Sequence, residues 1–438
     1  MSRRVIIGGT VGGTMATVKR VACGLLAILM ISCISPTVVA SSAVELDNPI
    51  WLAESDLGLE VLAIGGESSQ KILVAGADGY ARLLDGADPN VQIELSAPTT
   101  ETLRAIDWHP RGKTALLVGD NEAMLRYAAE DHSVTTVSGS GALMGLNMAA
   151  VAWNAAGSVA YVGGEGGWIW AYHEGEDGIG VFELIVNESG SDVTGIACLD
   201  EENYCAAITE SDGIMLIDSN SDHAMYALGK EDTRWLGINC ADSVGETCVA
   251  IGEGRAIAQV QIDTNQPERS GVPYVQTVWS LSGEFTHVHT RSPRQTLVTM
   301  TPFQIMAWDM EEVEAYEWVE YADVADRSDA LAGERLIGSW ATIDNQNIGF
   351  VVTSYGAVIG FHPAPVTSVW TDSLISYILG AVVFIVVPGV VLGLIFMNSD
   401  TLQRKYYDRR NAKREAAEKT RIAKEKAQKR AARKGKKS

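Results

Sequence analysis

A short apolar run that ends near a Trp, Cys or His returns seven times along this chain of 438 residues. The equivalent positions are Ile64, Trp108, Trp153, Cys198, Cys240, His289 and Trp340, separated by 44, 45, 45, 42, 49 and 51 residues. Between them lie only short strand-like runs. Gly, Pro, Asn and Asp punctuate these runs where a hairpin must reverse, as at Asp78-Gly79 and Asp212-Gly213. A period of roughly 40–50 residues made of short strands alone stacks one four-stranded sheet per repeat around an axis, the arrangement of a β-propeller. No stretch of 41–370 shows a helical hydrophobic period. The period therefore predicts an all-β, seven-bladed wheel and leaves its function open, because propellers carry unrelated activities.

One plan runs through the repeats. In the second, Leu103 to Trp108 reads as an inner strand closed by His109-Pro110-Arg111-Gly112, followed by strands over 115–118, 123–128 and 133–137. The third uses 149–153, 159–162, 168–172 and 181–185, and the fourth 193–198, 205–208, 214–217 and 223–228. Continuous apolar inner runs fit strands covered on both faces by neighbouring blades. The last repeat supplies 336–340, 348–352 and 358–361 and then stops at His362-Pro363, one strand short. A spare run before the first repeat, Pro49 to Ala53, is expected to complete it and remove the free sheet edge. Six or eight blades stay open, since the fifth and sixth repeats are the longest.

Across residues 50–365 this pattern resembles the WD40-like and YVTN-like propeller superfamily. The likeness rests on Ile106-Asp107-Trp108-His109-Pro110-Arg111-Gly112 and on Ala307-Trp308-Asp309. The Gly-His dipeptide and closing Trp-Asp of most WD40 repeats are missing elsewhere. The resemblance thus implies the fold and a general interaction role, and no particular ligand.

The two ends read as membrane addresses. Arg3, Arg4, Lys19 and Arg20 precede the apolar run Val21 to Ile34, and Val38-Val39-Ala40 offers a small-residue cleavage site, so 1–40 is expected to be a signal peptide, with an uncleaved anchor as the rival. Residues 41–365 form the expected extracytoplasmic propeller and 366–373 a juxtamembrane linker. Leu374 to Met397 runs 24 residues without a charge, enough for a helix to span about 30 Å of hydrocarbon. Within it Gly389 and Gly393 match a small-residue helix-packing motif. In the remaining tail, 401–438 holds 16 Lys and Arg against four acids, which keeps 398–438 on the cytoplasmic side. That tail suits anionic lipid heads, at about 1 kcal/mol per cation close to the surface. The expected location is the cell membrane, crossed once.

Residues 41–400 carry 51 acids against 14 Lys and Arg, only three of them Lys. Such a field repels nucleic acid and anionic lipid from the outer domain. It fits solubility in a salty exterior, where screening over about 8 Å tolerates dense like charge. The turns between second and third strands hold Asp78, Asp120, Glu122, Glu165, Glu210, Asp212 and Glu253, an acidic arc over five blades broken at Pro302 and Tyr355. Carboxylates there suit Ca2+ or a Lys/Arg-rich partner; they equally suit plain solvation of turns.

Cys23 and Cys33 fall in the leader. The other four cysteines come in local pairs, Cys198/Cys205 and Cys240/Cys248, each bracketing a turn between the first two strands of a blade. Cross-strand neighbours approach closely enough for disulfides, and an exported compartment permits them. A four-thiol metal site is the alternative. Asn187-Glu188-Ser189 is a glycosylation acceptor. His287 and His289 share one strand face as a two-ligand metal candidate without a third member. There is no nucleophile elbow, zincin motif or P-loop, and no catalytic residue or bound cofactor is expected beyond Ca2+ at the arc.

The reading that follows is a membrane-anchored scaffold or receptor that meets a protein partner at the outer surface. An enzyme or solute and Ca2+ receptor working through the central opening is the alternative. A third reading is a structural subunit of a membrane export or envelope-assembly complex.

Overall fold

The structure, a computed structural model, describes residues 43–53, 56–175, 179–186, 190–240, 246–292, 294–343, 345–363 and 387–434. Chain contacts divide the protein into two units, Met1–Ala364 and Pro365–Ser438.

The first unit is a ring of seven antiparallel sheets. Their inner strands are Leu59–Gly65, Leu103–Trp108, Met148–Trp153, Val193–Cys198, Trp235–Cys240, Glu284–Ser292 and Leu336–Thr342. Each of the seven recurring positions falls on one of them, so the period in the sequence is the period of the blades. Second strands such as Thr114–Gly119 and Tyr204–Thr209 are buried almost throughout, whereas the outer strand Gly180–Val186 alternates towards solvent. Strands covered on both faces must be apolar on both, which is why these second-strand runs show no alternation. The inner strands, expected to be covered on both faces, are only partly buried because one side lines the axis, as in Leu103–Trp108 and Val193–Cys198.

The core lies between blades. Leu116 and Val118 of the second blade pack with Val151, Trp153, Val162 and Trp170 of the third. The same layer closes the ring: Leu59, Leu62 and Ile72 of the first blade pack with Trp340, Val352 and Val358 of the seventh. Trp340 Nε1 donates to the Gly86 carbonyl at 2.9 Å, and Gln70 Nε2 to the Ala341 carbonyl at 2.8 Å, across that seam.

The chain's beginning completes the last blade in two pieces. Val44–Leu46 pairs with Phe361 to Pro363, and Ile50–Trp51 pairs with Ala357 and Val358. The expected closing strand over 49–53 is thus shorter than anticipated, and an earlier piece does half the work. Pro49 has no N–H to give a ladder, which places the interruption between the two pieces.

The extra length of the sixth repeat is helical, contrary to the expectation of no helix in 41–370. Helices Tyr321–Arg327 and Asp329–Ala332 tuck Val324, Leu331 and Ala332 against Phe303 and Trp318. Seven and four residues are too few to display a 3.6-residue period. The longer fifth repeat holds the short turn Pro267–Arg269 rather than another blade.

In the second unit, helices cover Val387–Asn398 and Asp400–Lys434. Among the described residues no helix is long and apolar enough to cross a membrane. Residues 374–386 of the expected span, the leader 1–40 and the linker 366–373 lie outside the described residues. Gly389 and Gly393 fall one turn apart in the first of these helices.

Candidate functional site

All seven arc residues stand in the turns between second and third strands, on one face of the ring. Asp78 sits at φ +54°, a left-handed turn position that a short polar side chain tolerates. The others are engaged. Asp120 takes a two-pronged bond from Arg104, with Nη2 at 2.9 Å. Arg234 bridges two blades, reaching Glu210 at 2.5 Å and Glu253 at 2.6 Å. Glu122 accepts the Gly145 N–H at 2.8 Å, Glu165 the Asn147 N–H at 3.3 Å and Asp212 the Ser191 N–H. Glu122, Glu165 and Asp212 therefore tie their turns to inter-blade connections through backbone N–H groups, Arg234 links Glu210 and Glu253 across two blades, and Arg104 ties Asp120 to the inner strand of its own blade. Among the described residues, none of the seven joins a set of three donors converging on one point.

Where the arc breaks, the same face turns aromatic. Trp279, on the connection from the fifth blade to the sixth, is 80% exposed. Its segment is fastened to the fifth-blade turn: Val278 N–H donates to the Arg255 carbonyl, and Arg255 Nη1 to the Leu281 carbonyl at 2.7 Å. Tyr355, in the seventh-blade turn, is 43% exposed and meets Trp51, 47% exposed, edge to face at 6.5 Å. Sequence reasoning missed this sector. Its one signal was a Trp placed outside any strand-like run.

The axis holds a cavity of about 690 Å³ walled by the inner strands of the first six blades. Its polar side chains stitch one inner strand to the next. Asp107 Oδ2 accepts the Trp153 N–H at 2.6 Å, and Asn239 Oδ1 accepts the Thr290 N–H at 2.8 Å. Thr194 and Thr286 each donate to a carbonyl of the following blade, at Trp235 and Leu336, both at 3.0 Å. Desolvation dominates at two groups of this wall, Asp107 and His287. Burial pushes the Asp107 carboxyl up to about 7, against the pull of the Trp153 and Trp108 N–H groups. Burial, helped by His289, pushes His287 down to about 4. Both side chains are only partly accessible, and what they face is the narrow channel rather than bulk water. His287 and His289 line the channel wall as expected for neighbours on one strand face, without a third converging ligand among the described residues.

The cysteines pair locally. Cys198–Cys205 and Cys240–Cys248 are disulfides across directly opposed residues of the first hairpin in consecutive blades, each with Cα atoms 3.9 Å apart. The four-thiol alternative falls, because every sulfur is consumed within its own hairpin. Asn187 lies outside the described residues.

Comparison with known proteins adds the fold and little else. No family model matches the chain, and no curated protein does. Among solved structures it is similar to the β-propeller domain of Cps50 (Swd1) from Myceliophteria thermophila, at 10% identity and a TM-score of 0.56, over 72% of this chain and 99% of that one. The shared feature is the β-propeller fold, here with seven blades.

Proposed function

We propose that this chain is a membrane-anchored, extracytoplasmic interaction scaffold, and that its turn face docks a basic protein partner. The observation that carries the reading is the division of that face into a five-blade acidic arc and an exposed aromatic sector at Trp279, Tyr355 and Trp51. Exposed aromatics supply the desolvated anchors of protein interfaces, and a field of one sign steers an oppositely charged surface. Asp107, Thr194, Asn239 and Thr286 of the channel are meanwhile engaged in blade-to-blade hydrogen bonds. The apolar run 374–397, the leader and the basic tail support placement of the wheel outside a single span, with lipid heads facing the tail. Alkaline carbonate washing of membranes tests the anchor: the protein stays in the pellet, and its release to the supernatant would sink that part. Trp279→Ser with Tyr355→Ser tests the docking face, since partner capture should fall at least about tenfold, as for interface hot spots.

A second reading is a small-solute or Ca2+ receptor using the channel, favoured by the two displaced titrations at Asp107 and His287. Saturable binding of a solute abolished by Asp107→Asn, with the turn face irrelevant, would replace the scaffold reading.

A further inference from the structure

We propose a zinc site at the joint between the third and fourth blades, built from His173, Glu183 and His223. Their donor atoms lie within 4.8 Å of one another, the one such convergence of three among the described residues. The turns that carry it lie on the opposite face of the ring from the acidic arc.

The fold assembles the trio from three separate segments. Ala171 faces Glu183 and His173 faces Val181 in the ladder of the third blade's two outermost strands, Ile169–Glu174 and Gly180–Val186. Residues two apart share a sheet face, so His173 and Glu183 sit diagonally on the same side. That side looks at the fourth blade. From there His223 arrives on the turn before strand Ala224–Gly229, held at φ +58° after Asp222 at +54°. The two imidazole centroids are 6.0 Å apart.

The histidines are prepared as ligands by their other nitrogens. His173 Nδ1 lies 3.2 Å from the Ser158 carbonyl, an acceptor only, so Nδ1 carries the proton and Nε2 keeps its lone pair. His223 Nδ1 lies 2.7 Å from the Tyr161 hydroxyl, which is itself 2.7 Å from Ser219 Oγ. With Tyr161 donating to Ser219 and accepting from Nδ1–H, the second Nε2 is also a free donor. A ring nitrogen fixed by a carbonyl or hydroxyl while the other faces the ion is the usual support of a metal-bound imidazole.

Two imidazoles and one carboxylate suit Zn2+ with a fourth position for water. Ca2+ wants six to eight oxygens and gains little from this set. Donors around tetrahedral zinc sit about 3.3 Å apart, a closure within reach of the exposed Glu183 side chain. Bound there, the ion clamps adjacent blades at their outer strands.

The test is calorimetric titration of the chelator-treated full-length protein with Zn2+ and, separately, Ca2+. The wild type should take up one equivalent of Zn2+ that His173→Ala/His223→Ala lacks, with no matching Ca2+ event. Glu183→Gln, a surface change, should weaken that event by at least about tenfold, and Tyr161→Phe by about 10–100-fold through loss of the orienting bond. Zn2+ should raise the Tm of the wild type and leave that of the double variant unmoved. Circular dichroism checks that each variant keeps its sheet content. Zn2+ uptake equal in wild type and Glu183→Gln, or no equivalent lost from the double variant, would overturn the assignment.

Discussion

Two residues of the channel wall make opposite demands on pH. The unfolded chain releases the Asp107 proton near 3.8, whereas the folded chain holds it to about 7, so between those values stability falls as pH rises. His287 works the other way. Its proton is held to 6.5 in the unfolded chain and only to about 4 in the folded one, so stability rises with pH over that window. Each effect is roughly 1–3 kcal/mol after allowance for channel water, and the two largely offset each other from pH 4 to 6.5. Relative to wild type, Asp107→Asn should therefore melt higher as pH approaches 7 and above, because Asn Oδ1 still accepts from Trp153. His287→Gln should melt higher near pH 4. Melting curves at several pH values decide this, and parallel profiles for all three proteins would contradict it. The arc shows the complementary limit. Its ion pairs at Arg234 are exposed and worth only about 0–1 kcal/mol each.

At the scale of elements, the local disulfides close loops of seven and eight residues, short enough to contribute about 2–3 kcal/mol each. Reduction should lower Tm by several degrees and leave the sheet signal of the folded state intact; collapse of that signal at room temperature would contradict this. The N-terminal pieces matter differently. Without residues 43–53, strand Ala357–Pro363 becomes an open edge, and concentration-dependent association by sedimentation is the expected result. A truncated ring that stays monomeric would show the closure to be dispensable. These elements also show what a sequence can disclose. The blades were legible because second strands such as Thr114–Gly119 and Thr247–Gly252, buried on both faces, are nearly unbroken apolar runs, and because the inner strand before each one brings its recurring position back at a near-constant interval. The paired cysteines were legible because cross-strand neighbours are close in the chain. The helices of the sixth repeat were too short to show a period. The partners of the arc acids stayed hidden because they are backbone N–H groups of other connections for Glu122, Glu165 and Asp212, and arginines brought close only by the fold for Asp120, Glu210 and Glu253. His173, Glu183 and His223 were invisible as a set, since only blade packing brings the third to the other two.

The first unit is a closed ring whose first blade is locked to its last by Trp340 and Gln70, with the N-terminal strands completing the last blade. Its acidic excess over residues 41–400 means that mutual repulsion is part of its energetics. Raising NaCl to about 1 M shortens the screening length to about 3 Å and should raise Tm. A fall in Tm over that range would mean that ion pairs such as Arg234 with Glu210 and Glu253 outweigh the repulsion. The same field sets the account of function, because an acidic arc beside exposed aromatics is a surface for a basic partner carrying an apolar contact. Crosslinking the intact protein in its native membrane, then mapping the crosslinked peptides in wild type and in Trp279→Ser/Tyr355→Ser, tests this directly. A stoichiometric protein partner joined at the turn face, and lost from the double variant, is the expected result. Recovery of the protein alone, or of a partner that the variant retains undiminished, would contradict it.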